Sequence, residues 1–368
     1  MTDTNFLTIH SLTALPWHNL NRDDRGLPKQ VREGGKTRGR LSAQSLKRAI
    51  RVAYEIESAE VGSGSLRSRD LPDEVLRRAI IIAKTGGLSL DEKAALKTAT
   101  KIVRSLTANA AEPKEGDEDK EAGEGTVTWL SGEEIDSLAT AIVEGGGNLA
   151  AKDFISSRTG SLAIAAFGRM FAAQNNLQTE AAIAVGPATT THPITIEVDY
   201  FTTVDDLGDG GAGHLGQAFY TTGVYYRSVT IDKKQLRESW TGWESPDATE
   251  RLNLMVRCLV TALPTGKDNS SAPNTKPALV IAEQQAHRTA YDFQEPVKAS
   301  ADGGYLETSI DRLLQQGAAA RAFDASEFGD TFLSGTSVVA GESLVIPFES
   351  KTGDLGELVD SVVNWLKQ

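Results

Sequence analysis

The chain has 368 residues, room for two domains of ~150 residues or one domain with large insertions. Forty per cent of its residues are apolar and 24% charged, which excludes global disorder; one cysteine, Cys258, excludes an internal disulfide and any multi-cysteine zinc or iron–sulfur site. The net charge of −12 argues against general nucleic-acid affinity, yet ten Arg and Lys against three acids between Trp17 and Arg51 give that segment +7 and leave −19 elsewhere.

Residues 5–12 alternate as a strand, with Leu7 and Ile9 on one face and Phe6, Thr8 and His10 on the other. A long polar loop is expected from 16 to about 40, then a helix from an N-cap at Ser42 to about Glu57. On that helix Leu46, Ile50 and Ala53 gather on one side. Gln44, Lys47, Arg48 and Arg51, at i, i+3, i+4 and i+7, form the other. Residues 60–145 read as helical. Pro72 with Asp73 and Glu74 opens one helix, and Ser89/Glu92 and Ser131/Glu134 make capping boxes for two more. The nearly apolar-free stretch 112–125 reads as a surface loop. Strands are then expected within 161–171, 194–201, 223–231, 278–282 and 337–347, with helices near 247–262, 309–318 and 354–367 and a loop at 264–277. This order suggests an α+β fold. Residues 1–20 lack the basic start and apolar run of a signal peptide, and the apolar run at Ala79–Ala83 is only five residues, far short of a membrane span. The expectation is a cytosolic protein with no membrane contact.

Several chemical motifs fail on inspection. Gly35-Lys36-Thr37 resembles the end of a P-loop, but the required earlier glycine is Gln30. Gly211-Ala-Gly213-His-Leu-Gly216 matches a dinucleotide fingerprint, but a strand rather than a helix follows it. None of the five histidines pairs at metal spacing, and Asp205, Asp206 and Asp209 lack the closing glutamate of a calcium loop. No metal or other cofactor is expected.

Three features remain. The basic segment feeds a helix whose first turn, at Ser42, offers free backbone N–H groups, so Arg22 to Arg51 can track phosphates; a solvated helix face is the plain alternative. In a strand, Phe167 and Arg169 would share one face, suiting a stacked base beside a phosphate, whereas Phe167 and Met170 could equally be core residues. The glycine-rich stretch after Phe201 is long for a mere connection.

Asn21-Arg-Asp-Asp24, Gly34-Gly-Lys36 and above all Arg40-Leu-Ser-Ala-Gln-Ser-Leu-Lys-Arg48 resemble the amino-terminal signature of type I-E CRISPR Cascade backbone subunits, the CasC family of the RAMP superfamily. The likeness continues through Gly168-Arg-Met170, Thr190-Thr-His192, Phe201-Thr-Thr-Val-Asp-Asp-Leu207, Ala212-Gly-His-Leu-Gly216 and Thr222-Gly-Val-Tyr-Tyr-Arg227. It implies an RNA-recognition-motif-like (ferredoxin-like) palm with a helical fingers insertion and a protruding thumb loop. The implied parts are palm 1–58, fingers 59–160, palm 161–199, thumb 200–222, and palm completion with C-terminal helices 223–368.

The resemblance further implies a non-catalytic subunit, copies of which line up along a CRISPR RNA beside other Cascade subunits and present the guide to a target DNA strand. By the same resemblance Arg22, Lys29, Ser42, Gln44, Lys47, Arg48 and Arg51 hold the RNA backbone; Arg169, from its place on the expected strand, is counted with them as an RNA contact. Met170, Thr202 and Leu215 buttress a turned-out base. An RNP1-type aromatic run is absent, which suits a clamp that accepts any sequence. Two rivals stay open: a metal-dependent RNA endonuclease using Asp23 or Asp24, and an RNA-independent filament protein.

Overall fold

The computed structural model describes residues 4–62, 64–107, 127–145, 149–204, 212–341 and 344–368. In chain order the elements are β1 (Phe6–His18), β2 (Gln30–Glu33), β3 (Lys36–Leu41), α1 (Ala43–Glu57), β4 (Ser65–Ser68), α2 (Leu71–Gly86), α3 (Glu92–Ser105), β5 (Thr128–Ser131), α4 (Gly132–Val143) and α5 (Leu162–Phe167). There follow β6 (Ile183–Val185), β7 (Ala188–Thr190), β8 (Glu197–Val204), β9 (Ala212–Asp232), α6 (Lys233–Ser239), α7 (Ala248–Thr261) and α8 (Asp268–Ser271). The last are β10 (Leu279–Gln285), α9 (Leu306–Phe323), β11 (Phe328–Ser334), α10 (Thr336–Val339), β12 (Lys351–Thr352) and α11 (Leu355–Lys367). The chain divides into two units: Met1–Ala53, Ala184–Ile231 and Leu252–Gln368 form the first, and Tyr54–Ile183 with Asp232–Arg251 the second.

The first unit is built on a sheet in the order β12-β11-β10-β1-β9-β7-β3-β2, with β8 a further partner of β9. Strand β1 runs antiparallel to β10 in a register from Phe6↔Gln285 to Leu12↔Leu279. It extends six residues beyond the expected end, and the polar face of its first half is buried too. Thr8 bonds to Gln285 (2.7 Å) and Thr230 (2.9 Å), and His10 Nδ1 to the Tyr226 hydroxyl (2.9 Å). Glu283 closes this network: it accepts from Tyr291 (2.9 Å) and Arg321 (2.9 Å) and lies 3.2 Å from His10 Nε2. Burial alone would raise the Glu283 carboxyl, but His10 and Arg321 outweigh it and hold it down to about 2. Leu12, Leu279, Ile281 and Leu333 pack with Leu313 and Leu314 of α9 in the core.

The second unit packs α2, α3 and α4 around Leu71, Val75, Ile102, Ile135 and Leu138, with β4 and β5 paired antiparallel. Helix α2 begins with Pro in its first turn and ends at Gly87 in a left-handed conformation (φ +65°), as its sequence predicts. The Ser131–Glu134 capping box is present. That at Ser89 is not: Asp91, two residues on, caps α3 through the Ala94 N–H (3.1 Å). The stretch 161–171 is also corrected: Leu162–Phe167 is a helix, capped by Ser161, because a short all-apolar run fits a buried helix as well as a strand. Where a strand is expected at 337–347 the structure has the end of the short α10, and the strand β11 lies before it. The expected acidic loop at 112–125 and Asp205, Asp206 and Asp209 lie outside the described residues. No helix among the described residues is long and apolar enough to cross a membrane.

Candidate nucleic-acid interface

The basic segment is not the polar loop its composition suggests. Gly34 (φ +56°) and Gly35 (φ +73°) form a two-residue turn joining β2 to β3, with Glu33 opposite Lys36. Positive φ at both central residues is what a hairpin turn matched to strand twist requires. The P-loop lookalike is therefore a hairpin tip. Arg38, counted with the basic strip, faces inward and is 0% exposed. Its guanidinium donates to the Thr190 (2.5 Å), Phe293 and Gln294 (3.1 Å) carbonyls. Thr190 Oγ1 also accepts the Gly39 N–H (3.1 Å), so the hairpin is bolted to β7 and to residues 293–294. Burial lowers the Arg38 pKa while Glu33 opposes the shift.

One asparagine gathers the expected phosphate contacts. The Asn21 carbonyl accepts the Lys29 N–H (2.8 Å), Lys29 in turn accepts the Arg40 N–H (2.8 Å), and Arg22 bridges to Pro28. The Asn21 side chain accepts the Ser42 N–H (2.8 Å) at the start of α1. Ser42 Oγ faces the Ser45 N–H at 3.4 Å, as the cap its sequence predicts. Arg22, Lys29 and Ser42 are thus fixed around one residue. From there Gln44, Lys47, Arg48 and Arg51 climb α1 opposite the buried Leu46 and Ile50; Arg22, Gln44 and Arg48 are exposed, and Lys29, Lys47 and Arg51 half-buried. Asp23 serves the loop itself, since its Oδ1 accepts the Arg25 and Leu27 N–H groups (both 2.9 Å) and shapes the turn before β2. Among the described residues no group of three His, Cys, Asp or Glu is placed to hold a metal.

The thumb stretch is a β-arm rather than an open loop where it is described. Strands β8 and β9 pair from Glu197↔Tyr220 to Thr202↔Leu215 and beyond. Thr202 and Leu215 are direct partners, and with Val198, Tyr200, Gln217 and Phe219 they share one face of the ribbon. Leu215 is 64% exposed. On the opposite face Phe201 lies over Gly216, where a Cβ would come within 2.3 Å of the ring.

Arg169 departs from its expected role. It is buried in the second unit, where it grips Glu134 through two hydrogen bonds (2.5 and 2.6 Å) and donates to the Ser156 carbonyl (3.1 Å). Its guanidinium is committed internally and not presented to a ligand. Met170 beside it is 79% exposed. Arg227 is likewise internal: it donates to the Leu259, Val260 and Ala262 carbonyls at the end of α7, and burial lowers its pKa to about 10. Sequence reasoning missed both roles, along with that of Arg38, since their acceptors are remote in the chain.

The family model for CT1975-like proteins matches residues 7–364. The chain belongs to that family. Among solved structures, the CT1975-like chain is similar to one titled "CRISPR RNA-guided surveillance complex, pre-nicking", with a TM-score of 0.79 and 26% identity over 98% of this chain and 100% of the other. A second, titled "CRISPR RNA-guided surveillance complex", shares the fold with a TM-score of 0.73 and 22% identity over 98% and 99% of the two chains. No curated protein sequence matches. The CT1975-like chain accordingly has the α+β, ferredoxin-like fold expected for a Cascade backbone-like protein.

Proposed function

We propose that this chain is a non-catalytic backbone subunit of a type I-E Cascade complex that binds CRISPR RNA, assembles in several copies along it beside other Cascade subunits, and presents the guide to a target DNA strand. The observation that carries this reading is the assembly around Asn21. Loop, hairpin and helix gather Arg22, Lys29, Gln44, Lys47, Arg48 and Arg51 around Asn21 and the buried helix cap Ser42, in an otherwise acidic protein. Such a surface meets phosphates and ignores base identity, which suits a clamp for any guide. The arm, with Thr202 opposite Leu215, supplies an apolar edge that displaces a base at intervals. Met170 is an exposed apolar side chain suited to the same role. Of Asp23 and Asp24, the residues a nuclease reading would use, Asp23 is already employed in its turn.

The test is the nucleic acid that copurifies with the protein expressed with a CRISPR array and the other Cascade subunits. RNA carrying the repeat, in a stoichiometry of several chains per RNA, is expected. Protein free of RNA in that setting would overturn the reading.

A further inference from the structure

Of the five tryptophans, Trp129, Trp240, Trp243 and Trp365 are buried, whereas Trp17 is 36% exposed. It lies near the end of β1, five residues before Arg22, outside the set of residues assigned to RNA above. Its ring stacks on Tyr220 with centroids 5.0 Å apart and planes 20° apart. Tyr220 is only 4% exposed and sits opposite Glu197 at the root of the β8–β9 arm, so it holds the indole in a fixed plane. The Lys267 ammonium lies 5.6 Å from the Tyr220 centroid. Lys267 adopts a left-handed backbone (φ +50°), and its loop is tied to the β1 end by the Gly266 N–H donating to the Leu20 carbonyl (3.2 Å). Beside it opens a depression of about 560 Å³ lined by Thr265, Lys267, Asp268, Asn269 and Ser270.

A half-exposed indole stacked on a buried tyrosine, with a lysine ammonium over that same tyrosine and polar side chains beside the lysine, suits an unpaired nucleobase with its phosphate. We propose that Trp17 is a stacking platform for one nucleotide of single-stranded nucleic acid, with Lys267 as the cation for its phosphate. The proposal rests on the nucleic-acid-binding reading above and adds a site to it. Stacking tolerates every base, so the platform adds affinity without adding sequence preference. Tyr220 pays no ordering cost on binding because it is already stacked.

The test uses the full chain and a 20-nucleotide oligo(U) at low salt, read by tryptophan emission. Trp17 supplies the solvent-exposed indole, so oligo(U) is expected to quench the acrylamide-accessible emission. Trp17→Phe is expected to lose the quenching and keep affinity within about threefold, because phenylalanine still stacks. Trp17→Ala is expected to weaken binding about tenfold. Lys267→Gln is expected to lower the salt slope by roughly 0.7.

In the assembled complex, quenching with guide RNA alone assigns the platform to the guide, and quenching that arises only on adding complementary DNA assigns it to the target strand; either supports it. Quenching in neither setting overturns it, as does a blue shift on raising protein concentration without nucleic acid, which would mean that a second copy covers Trp17. Binding that falls in Lys47→Ala and Arg48→Ala while Trp17 emission never responds would remove the platform and spare the proposed function. Failure to bind any oligonucleotide at low salt would remove both.

Discussion

Thr202 and Leu215 face each other across the β8–β9 pair, so a small polar side chain stands opposite a large exposed aliphatic one. An apolar tip at this point can wedge between stacked bases. Chemical probing of the assembled complex is expected to show hyper-reactive guide bases at a constant interval, one per bound copy. Leu215→Ala should flatten that rhythm and leave a single chain's oligonucleotide affinity within about twofold. A uniform profile in the unaltered complex would contradict the wedge.

Arg169 and Glu134 give the opposite expectation from a ligand-binding arginine. Removing either partner strands a buried charge, so Arg169→Met or Glu134→Leu should each destabilise the protein by about 3–5 kcal/mol in urea unfolding. The double variant should recover much of the loss. Its salt dependence of RNA binding should match that of the parent.

The phosphate track predicts a graded electrostatic effect. Lys29→Ala, Lys47→Ala and Arg48→Ala should each weaken RNA binding alike for all sequences and reduce the slope of log affinity against log salt by roughly 0.7. Ser42→Ala removes a cap and should cost about 1 kcal/mol of stability in addition. Slopes equal to the parent's would mean that these side chains do not touch phosphate.

Stability should fall with acid in a window set by His18. Its Nδ1 accepts the Leu20 N–H (3.4 Å), and Nε2 pairs with the Tyr225 hydroxyl (3.2 Å). Burial lowers its pKa to about 4, against 6.5 when free, so between these values only the unfolded chain takes up the proton. The neutral imidazole's contribution is complete above pH 6.5 and lost as the pH falls toward 4, a change of about 3 kcal/mol. Urea midpoints measured from pH 7 to 4 should show this loss, and His18→Gln should remove it. Glu283 opens a second window, from about 4.5 down toward 2, since its lowered carboxylate loses its advantage as it protonates.

Magnesium should bring no RNA or DNA cleavage from the purified chain. Asp23→Ala should instead loosen the 21–29 loop, seen as faster amide exchange at Arg25 and Leu27. Magnesium-dependent cutting that Asp23→Ala or Asp24→Ala abolished would replace the non-catalytic reading with an enzymatic one.

What could be read from the sequence was what the chain decides locally. Ser131 and Glu134 are three residues apart, and their box forms as that spacing predicts. The face of α1 carrying Gln44, Lys47, Arg48 and Arg51 follows from helical spacing. The β2–β3 hairpin was missed because Lys36-Thr-Arg-Gly-Arg40 has no apolar alternation; the Gly34-Gly35 pair was the available signal. The arm's pairing was hidden by its glycines, although Val198, Tyr200 and Thr202 alternate at period two. Arg38, Arg169 and Arg227 read as charge in a sequence and serve as internal struts. Their acceptors lie 13 to 256 residues away, beyond any local pattern.

The Arg38 strut also orders events during synthesis. Its acceptors include Thr190 and the carbonyls of Phe293 and Gln294, and β1 of the same sheet pairs with a strand that begins only at Leu279. At about 5–20 residues per second, the ribosome has carried the chain past roughly three-quarters of its length before the hairpin can be fastened. A nascent or truncated chain therefore shows its arginines and lysines on an unanchored amino terminus. The Arg38 strut thus exists only in a nearly completed molecule.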